Sequence, residues 1–146
     1  MSTTFASNLD EEFAQVSALW SPRVIAVANG QYVKVARVNG EFVWHSHADE
    51  DEFFLVRKDR LVIRYRDRAD AVLEEGDLHV VPRGVEHMTM APEECWVVLV
   101  DPASTKHSGD SKHAITASLE QQLAHLRTPN QPTGQQETPA QWPSKS

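Results

Sequence analysis

His45 and His47 stand one residue apart in "GEFVWHSHADEDEFF", residues 40–54, and the acids Asp49, Glu50, Asp51 and Glu52 follow them. Side chains alternate along a strand, so the two rings point the same way, roughly 6.5–7 Å apart. Two imidazoles so placed can lean onto one cation, at nitrogen–metal distances of about 2.0–2.2 Å. Glu52, opening the next apolar run, has the reach to add an anionic oxygen. Taken alone, His-x-His leaves a second reading open, a polar surface loop beside a solvated acid run. A later stretch bears on the choice. In "GDLHVVPRGVEH", residues 76–87, Pro82 and Gly84 make a tight turn that aims His87 back inward.

These residues need elements to hold them. "NLDEEFAQVSALW" predicts a short helix with Asn8 as its cap, acids in its first turn, and Leu9, Phe13 and Val16 on one face, ended by Pro22. Asn29-Gly30 and Asn39-Gly40 each lie between β-rich runs. Asn-Gly accepts the positive φ of a type I′ turn, so residues 23–47 are expected to form three antiparallel strands. Further short runs at 53–56, 61–65, 71–73, 78–81, 85–90 and 95–100 are separated by Pro, Gly and charged breaks such as "APEE". Nine short strands so punctuated predict an all-β sandwich or barrel, and no helix alternates with strand as a parallel sheet would require.

After Asp101-Pro102 the character changes. "AITASLEQQLAHLRT" predicts a helix with Ile115, Leu119, Leu123 and Leu126 on one stripe, and the Pro/Gln-rich segment from Pro129 reads as a flexible tail. The expected divisions are a helical arm over 1–22, a barrel over 23–101, a helical extension over 102–128 and the tail over 129–146.

With 146 residues, 40% apolar and 24% charged, the chain suits one soluble domain. A net charge of −7 argues against nucleic-acid or anionic-membrane partners, and no helix-turn-helix accompanies the strands. No apolar run is long enough to span a membrane, and "MSTTFASNLDEEF" lacks the pattern of a secretory signal. Cys95, the single cysteine, is expected to be a buried thiol. A cytoplasmic protein is the expectation.

The two stretches together resemble the cupin superfamily. Its first motif combines a glycine, His-x-His and a following Glu, here Gly40, His45, His47 and Glu52. Its second reads Gly, five residues, Pro-x-Gly, two residues, His, here Gly76, Pro82, Gly84 and His87. The wider stretch is similar to small single-domain bacterial cupins of the mannose-6-phosphate-isomerase-like kind. The resemblance implies a double-stranded β-helix, or jelly-roll, barrel that is often a homodimer, with His45, His47, Glu52 and His87 as ligands of one divalent metal. Three positions depart from the family pattern: four residues rather than five separate Gly40 from His45, Asp59 replaces a glycine, and Ala91 replaces the closing Asn.

Three neutral imidazoles and one carboxylate would leave a divalent ion about one positive charge. Nitrogen and oxygen donors without thiolate suit Fe, Mn, Ni, Co or Zn alike. Such an ion serves as Lewis acid or, if iron, as the site of O₂ chemistry. The expected protein is therefore a metal-dependent enzyme acting on a small polar carbonyl, hydroxy-acid or sugar-like substrate, by dioxygenase, isomerase or lyase chemistry. The alternative is a non-catalytic barrel that binds a small molecule. Strand parity places Val43 and Glu41 with His45, Phe54 and Val56 with Glu52, and Thr89 with His87. Val43, Phe54, Val56 and Thr89 are thus the substrate-contact candidates. His79 is expected to line the cavity or, on the favoured reading, to face solvent; His107, His113 and His125 are expected to be exposed, and Arg64, Arg66 and Arg68 read as a solvated edge. Trp44, Phe53 and Trp96 are expected in the core. A dimer contact is expected from the N-terminal helix or the Ile115–Leu126 stripe.

Overall fold

The computed structural model describes residues 6–103. The helix expected over 115–126, the tail, and His107, His113 and His125 lie outside the described residues. Helix α1 spans Leu9–Ala14. The strands are β1 (Arg23–Ala28), β2 (Gln31–Glu41), β3 (Glu52–Lys58), β4 (Leu61–Tyr65), β5 (Ala71–Leu73), β6 (Leu78–Val81) and β7 (His87–Pro102). No helix among them is long and apolar enough to cross a membrane.

Asn8 caps α1 by accepting from the Glu11 amide at 3.1 Å, and Asp10, Glu11 and Glu12 occupy the first turn. The helix stops at Ala14, earlier than its apolar spacing suggests, and Arg37 Nη1 then donates to the Val16 carbonyl at 3.0 Å. Phe13 and Val16 pack with Val35 and Val98 on the outer face of the sheet. The apolar face of α1 is therefore used inside its own chain.

Asn29-Gly30 turns the chain as expected, with φ of 52° and 72° joining β1 to β2. Asn39-Gly40 does not. It lies within β2, at an irregularity where the pairing with β7 jumps from Val38↔Cys95 to Gly40↔Ala91. A bulge and a type I′ turn both call for positive φ, which Gly40 supplies at 80°. The break expected at "APEE" is the other side of the same irregularity. Pro92 falls where no ladder partner is needed, and the two expected strands over 85–100 are one. Seven strands, not nine, make up the described residues.

β7 organises the sheet. β2 flanks one edge over its length, while β4 (opposite His87–Met90) and β3 (opposite Trp96–Val100) share the other edge in succession. β1 and β6 end the path β1-β2-β7-β3-β6, and β5 adds to β4. The inward faces meet in one apolar cluster that includes Val38, Phe54, Val56, Ile63, Val97 and Leu99. The architecture is an antiparallel jelly-roll with a short N-terminal helix docked outside. Trp44, Phe53 and Trp96, expected in the core, are half-buried. Trp96 stacks on Phe13 at 4.9 Å, and Arg66 lies 4.0 Å over the Trp44 ring.

Candidate metal centre

The first motif is not strand beyond Glu41. Residues 42–51 run as a loop fastened to the second motif by backbone hydrogen bonds: Phe42 N to Thr89 O at 2.9 Å, His45 N to His87 O at 3.0 Å, His87 N to His45 O at 2.9 Å, and Gly84 N to His47 O at 2.7 Å. The Asp51 carboxylate accepts from the Arg83 amide at 2.9 Å. Gly84, at φ 75°, and the Val85 amide bonded to Pro82 O shape the turn that returns His87 inward. Glu52 opens β3 opposite Val81, directly before that turn.

His45, His47, Glu52 and His87 converge. One donor atom from each lies within 4.8 Å of the others, and all four residues are buried. His45 Nδ1–H donates to Val43 O at 2.8 Å, and His87 Nδ1–H donates to Val85 O at 2.9 Å. Each bond fixes the tautomer that leaves Nε2 with a free lone pair. The Nε2 atoms of the three histidines and Oε2 of Glu52 are buried, and those of His45 and His87 have no hydrogen-bond partner. His47 Nε2 and Glu52 Oε2 approach to 2.5 Å.

Burial, then the charge of His87, pushes the His45 pKa down to about 4. Burial also lowers that of His87. His47 feels the same burial, but the adjacent Glu52 carboxylate outweighs it and its pKa is raised. Burial alone would raise Glu52, and His47 beside it outweighs that and holds it low. Two unpartnered imidazole nitrogens buried beside the His47–Glu52 pair cost free energy unless a cation lies among all four groups. The donor set, N₃O without sulfur, fits a divalent transition metal.

An apolar cavity of about 40 Å³ adjoins this cluster. Of the substrate-contact candidates, Phe54 and Thr89 line it, while Val43 and Val56 do not. Val43 instead contributes its carbonyl to His45, because strand parity fails once the chain leaves the pleat at Glu41. Val56 is buried in the apolar core cluster without lining the cavity. Trp20, Phe42 and Leu99 line the cavity and were missed. Trp20 precedes the first strand, where no periodicity points at the site.

His79 corrects another expectation. It pairs with the inward Phe54 while its neighbours Leu78 and Val80 are exposed, and its Nε2 shares a 2.6 Å hydrogen bond with Tyr65 Oη. Tyr65 in turn stands opposite His87 in the β4–β7 register. Lys34 and Asp101 were also missed. Both are fully buried, 2.9 Å apart. Burial pushes the Asp101 pKa up to about 6 against the pull of Lys34. Lys34 shares the parity of Ala36 and Val38, the one signal that could have revealed it.

The pattern of the family described as the cupin domain matches residues 32–101. The chain is similar to a cupin-2 domain containing protein of Shewanella frigidimarina NCIMB 400, at 44% identity and TM-score 0.64, over 66% of this chain and 94% of that one. It is also similar to YdbB, an uncharacterized protein of Bacillus subtilis (strain 168), 38% identical over 65 residues. That match covers 44% of this chain, which spans 58% of this curated relative. Protein NMB1881 from Neisseria meningitidis shares the fold at 24% identity and TM-score 0.61, over 66% of this chain and 98% of that one.

Proposed function

This chain belongs to the cupin superfamily, and on that footing we propose that His45, His47, Glu52 and His87 hold one divalent transition metal in a cytoplasmic enzyme acting on a small carbonyl or hydroxy-acid substrate. The observation that carries this is the convergence of four buried ligand atoms within 4.8 Å, with Nε2 of His45 and of His87 left without a partner. When bound, the ion supplies Lewis acidity, or O₂ chemistry if it is iron. The chain's own residues do the rest. The Val43 and Val85 carbonyls orient two imidazoles, and Glu52 supplies the balancing negative charge. The apolar lining excludes water and strengthens polar contacts inside. Thr89 offers a hydroxyl to orient substrate. Tyr65 Oη and His79 Nε2 form a hydrogen-bonded pair able to hold a proton beside His87.

The reaction class proposed is dioxygenase, isomerase or lyase. Elemental analysis of tag-free protein is expected to find about one transition-metal ion per chain, lost in His47→Ala and Glu52→Ala. Oxygen uptake by the iron-loaded chain then separates dioxygenase from isomerase or lyase. A folded, metal-free chain whose stability ignores both added metal and chelator would overturn the reading. One observation favours a second reading, a non-catalytic binding barrel: among the described residues, Thr89 is the one polar cavity-lining residue outside the ligand set. Specific ligand binding without turnover in the loaded protein would select it.

A homodimer is proposed through the outer face of β6, where Leu78 and Val80 are 60% and 45% exposed beside half-buried Leu55 and Phe53. Leu78→Glu is expected to yield a monomer by sedimentation.

A further inference from the structure

We infer that Trp20 is the specificity-determining wall of this site, and that it selects a small anionic chelator with a short apolar body over a polyhydroxylated one. The inference rests on the metal-binding reading above and narrows its substrate class.

Size comes first. A buried water needs about 10–15 Å³ of such space, so a cavity of about 40 Å³ admits roughly three groups of that size. Chemistry comes second. Among the described residues, His45, Glu52 and Thr89 are the polar ones lining the cavity, and the rest of that wall is aliphatic or aromatic. A hydroxyl pressed against such a wall loses its water without finding a partner. Charge comes third. Three neutral imidazoles and one carboxylate leave a divalent ion about one positive charge, which favours a monoanionic head.

Trp20 sets the limit of the apolar end. Its φ is 59°, a left-handed conformation that a bulky aromatic residue adopts only where its surroundings enforce it. They do so three times. The Trp20 amide donates to Arg37 O at 2.9 Å, and Nε1 donates to Asn39 O at 3.1 Å, beside the β2 irregularity. The indole stacks on Phe42 at 4.8 Å with 19° between planes. Phe42 then meets the His45 ring edge-on at 5.5 Å. The indole is thus fixed relative to a ligand histidine, as a wall that discriminates substrate size must be.

The test is calorimetric titration of the Co(II)-loaded full-length chain with three 2-oxo acids. 2-Oxobutanoate and hydroxypyruvate differ by a methyl in place of a hydroxyl, and phenylpyruvate adds a ring. The wild type is expected to bind 2-oxobutanoate at least ~10-fold tighter than hydroxypyruvate and to reject phenylpyruvate. Trp20→Ala is expected to gain at least ~10-fold for phenylpyruvate at unchanged Co(II) content. Trp20→Leu, which keeps apolar bulk, gives the same gain in part and serves if Trp20→Ala fails to fold. Equal or tighter binding of hydroxypyruvate, no binding of any of the three, or continued rejection of phenylpyruvate by both folded variants overturns the inference. Failure of the wild type to take up Co(II) overturns the metal reading itself.

Discussion

His45 and His87 face each other across an antiparallel bridge, each donating its backbone N–H to the other's carbonyl and each holding Nδ1 against a carbonyl two residues earlier. Their ring centroids are 4.4 Å apart. The bridge joins two motifs some forty residues apart in sequence, and it is built from backbone alone. Ligand function and fold are therefore separable here. His45→Ala and His87→Ala are each expected to lower metal affinity by at least ~100-fold, beyond the usual cost of losing a supporting contact. The amides of residues 45 and 87 should stay protected in hydrogen exchange. Loss of that protection would mean the rings hold the bridge rather than the reverse.

Lys34 and Asp101 form an ion pair sealed inside the barrel. Lys34→Met strands a buried carboxylate and is expected to cost about 3–5 kcal/mol in urea unfolding. The double variant Lys34→Met/Asp101→Leu should recover most of that loss, and additive losses would contradict the assignment. The pair also has a pH signature. Asp101 titrates near 6 when folded and near 3.8 otherwise, so the folded state binds the extra proton between those values. The stabilising contribution of the protonated Asp101 carboxyl is complete below about pH 4 and is lost as pH rises through 6. Relative to wild type, Asp101→Asn should lack this decline.

Cys95 lies within the barrel, and burial pushes its thiol up to about 12. Almost no thiolate exists at pH 8.5. Intact-mass analysis should find no alkylation by iodoacetamide in native protein and complete reaction in urea. Labelling of the native chain would place the thiol at an open surface.

Phe13 is 0% exposed and stacks on Trp96. Phe13→Ala is expected to cost about 3–5 kcal/mol and to free α1 from the sheet. Red-shifted tryptophan emission, reporting the newly exposed Trp96, is the accompanying readout. A loss below about 1 kcal/mol would show that α1 adds little to the fold.

The sequence by itself determined the elements whose signals are local. Asn8 with three following acids caps a helix, Asn29-Gly30 makes a hairpin, and the spacings around His45–Glu52 and Gly76–His87 carry the family pattern. Local signals also misled where one local need serves two structures. Asn39-Gly40 provides the positive φ of a strand irregularity rather than a turn, and Pro92 sits among the extra residues of that irregularity rather than between strands. Only the tertiary structure decided register, and register sets which way a side chain points. It turned His79 inward onto Tyr65, enclosed Lys34 with Asp101, and put Trp20 over the cavity. It also took Val43 out of the lining, because alternation ends where the pleat ends. Contacts with a distant strand place His79, Lys34 and Trp20, and no window of neighbouring residues contains those partners.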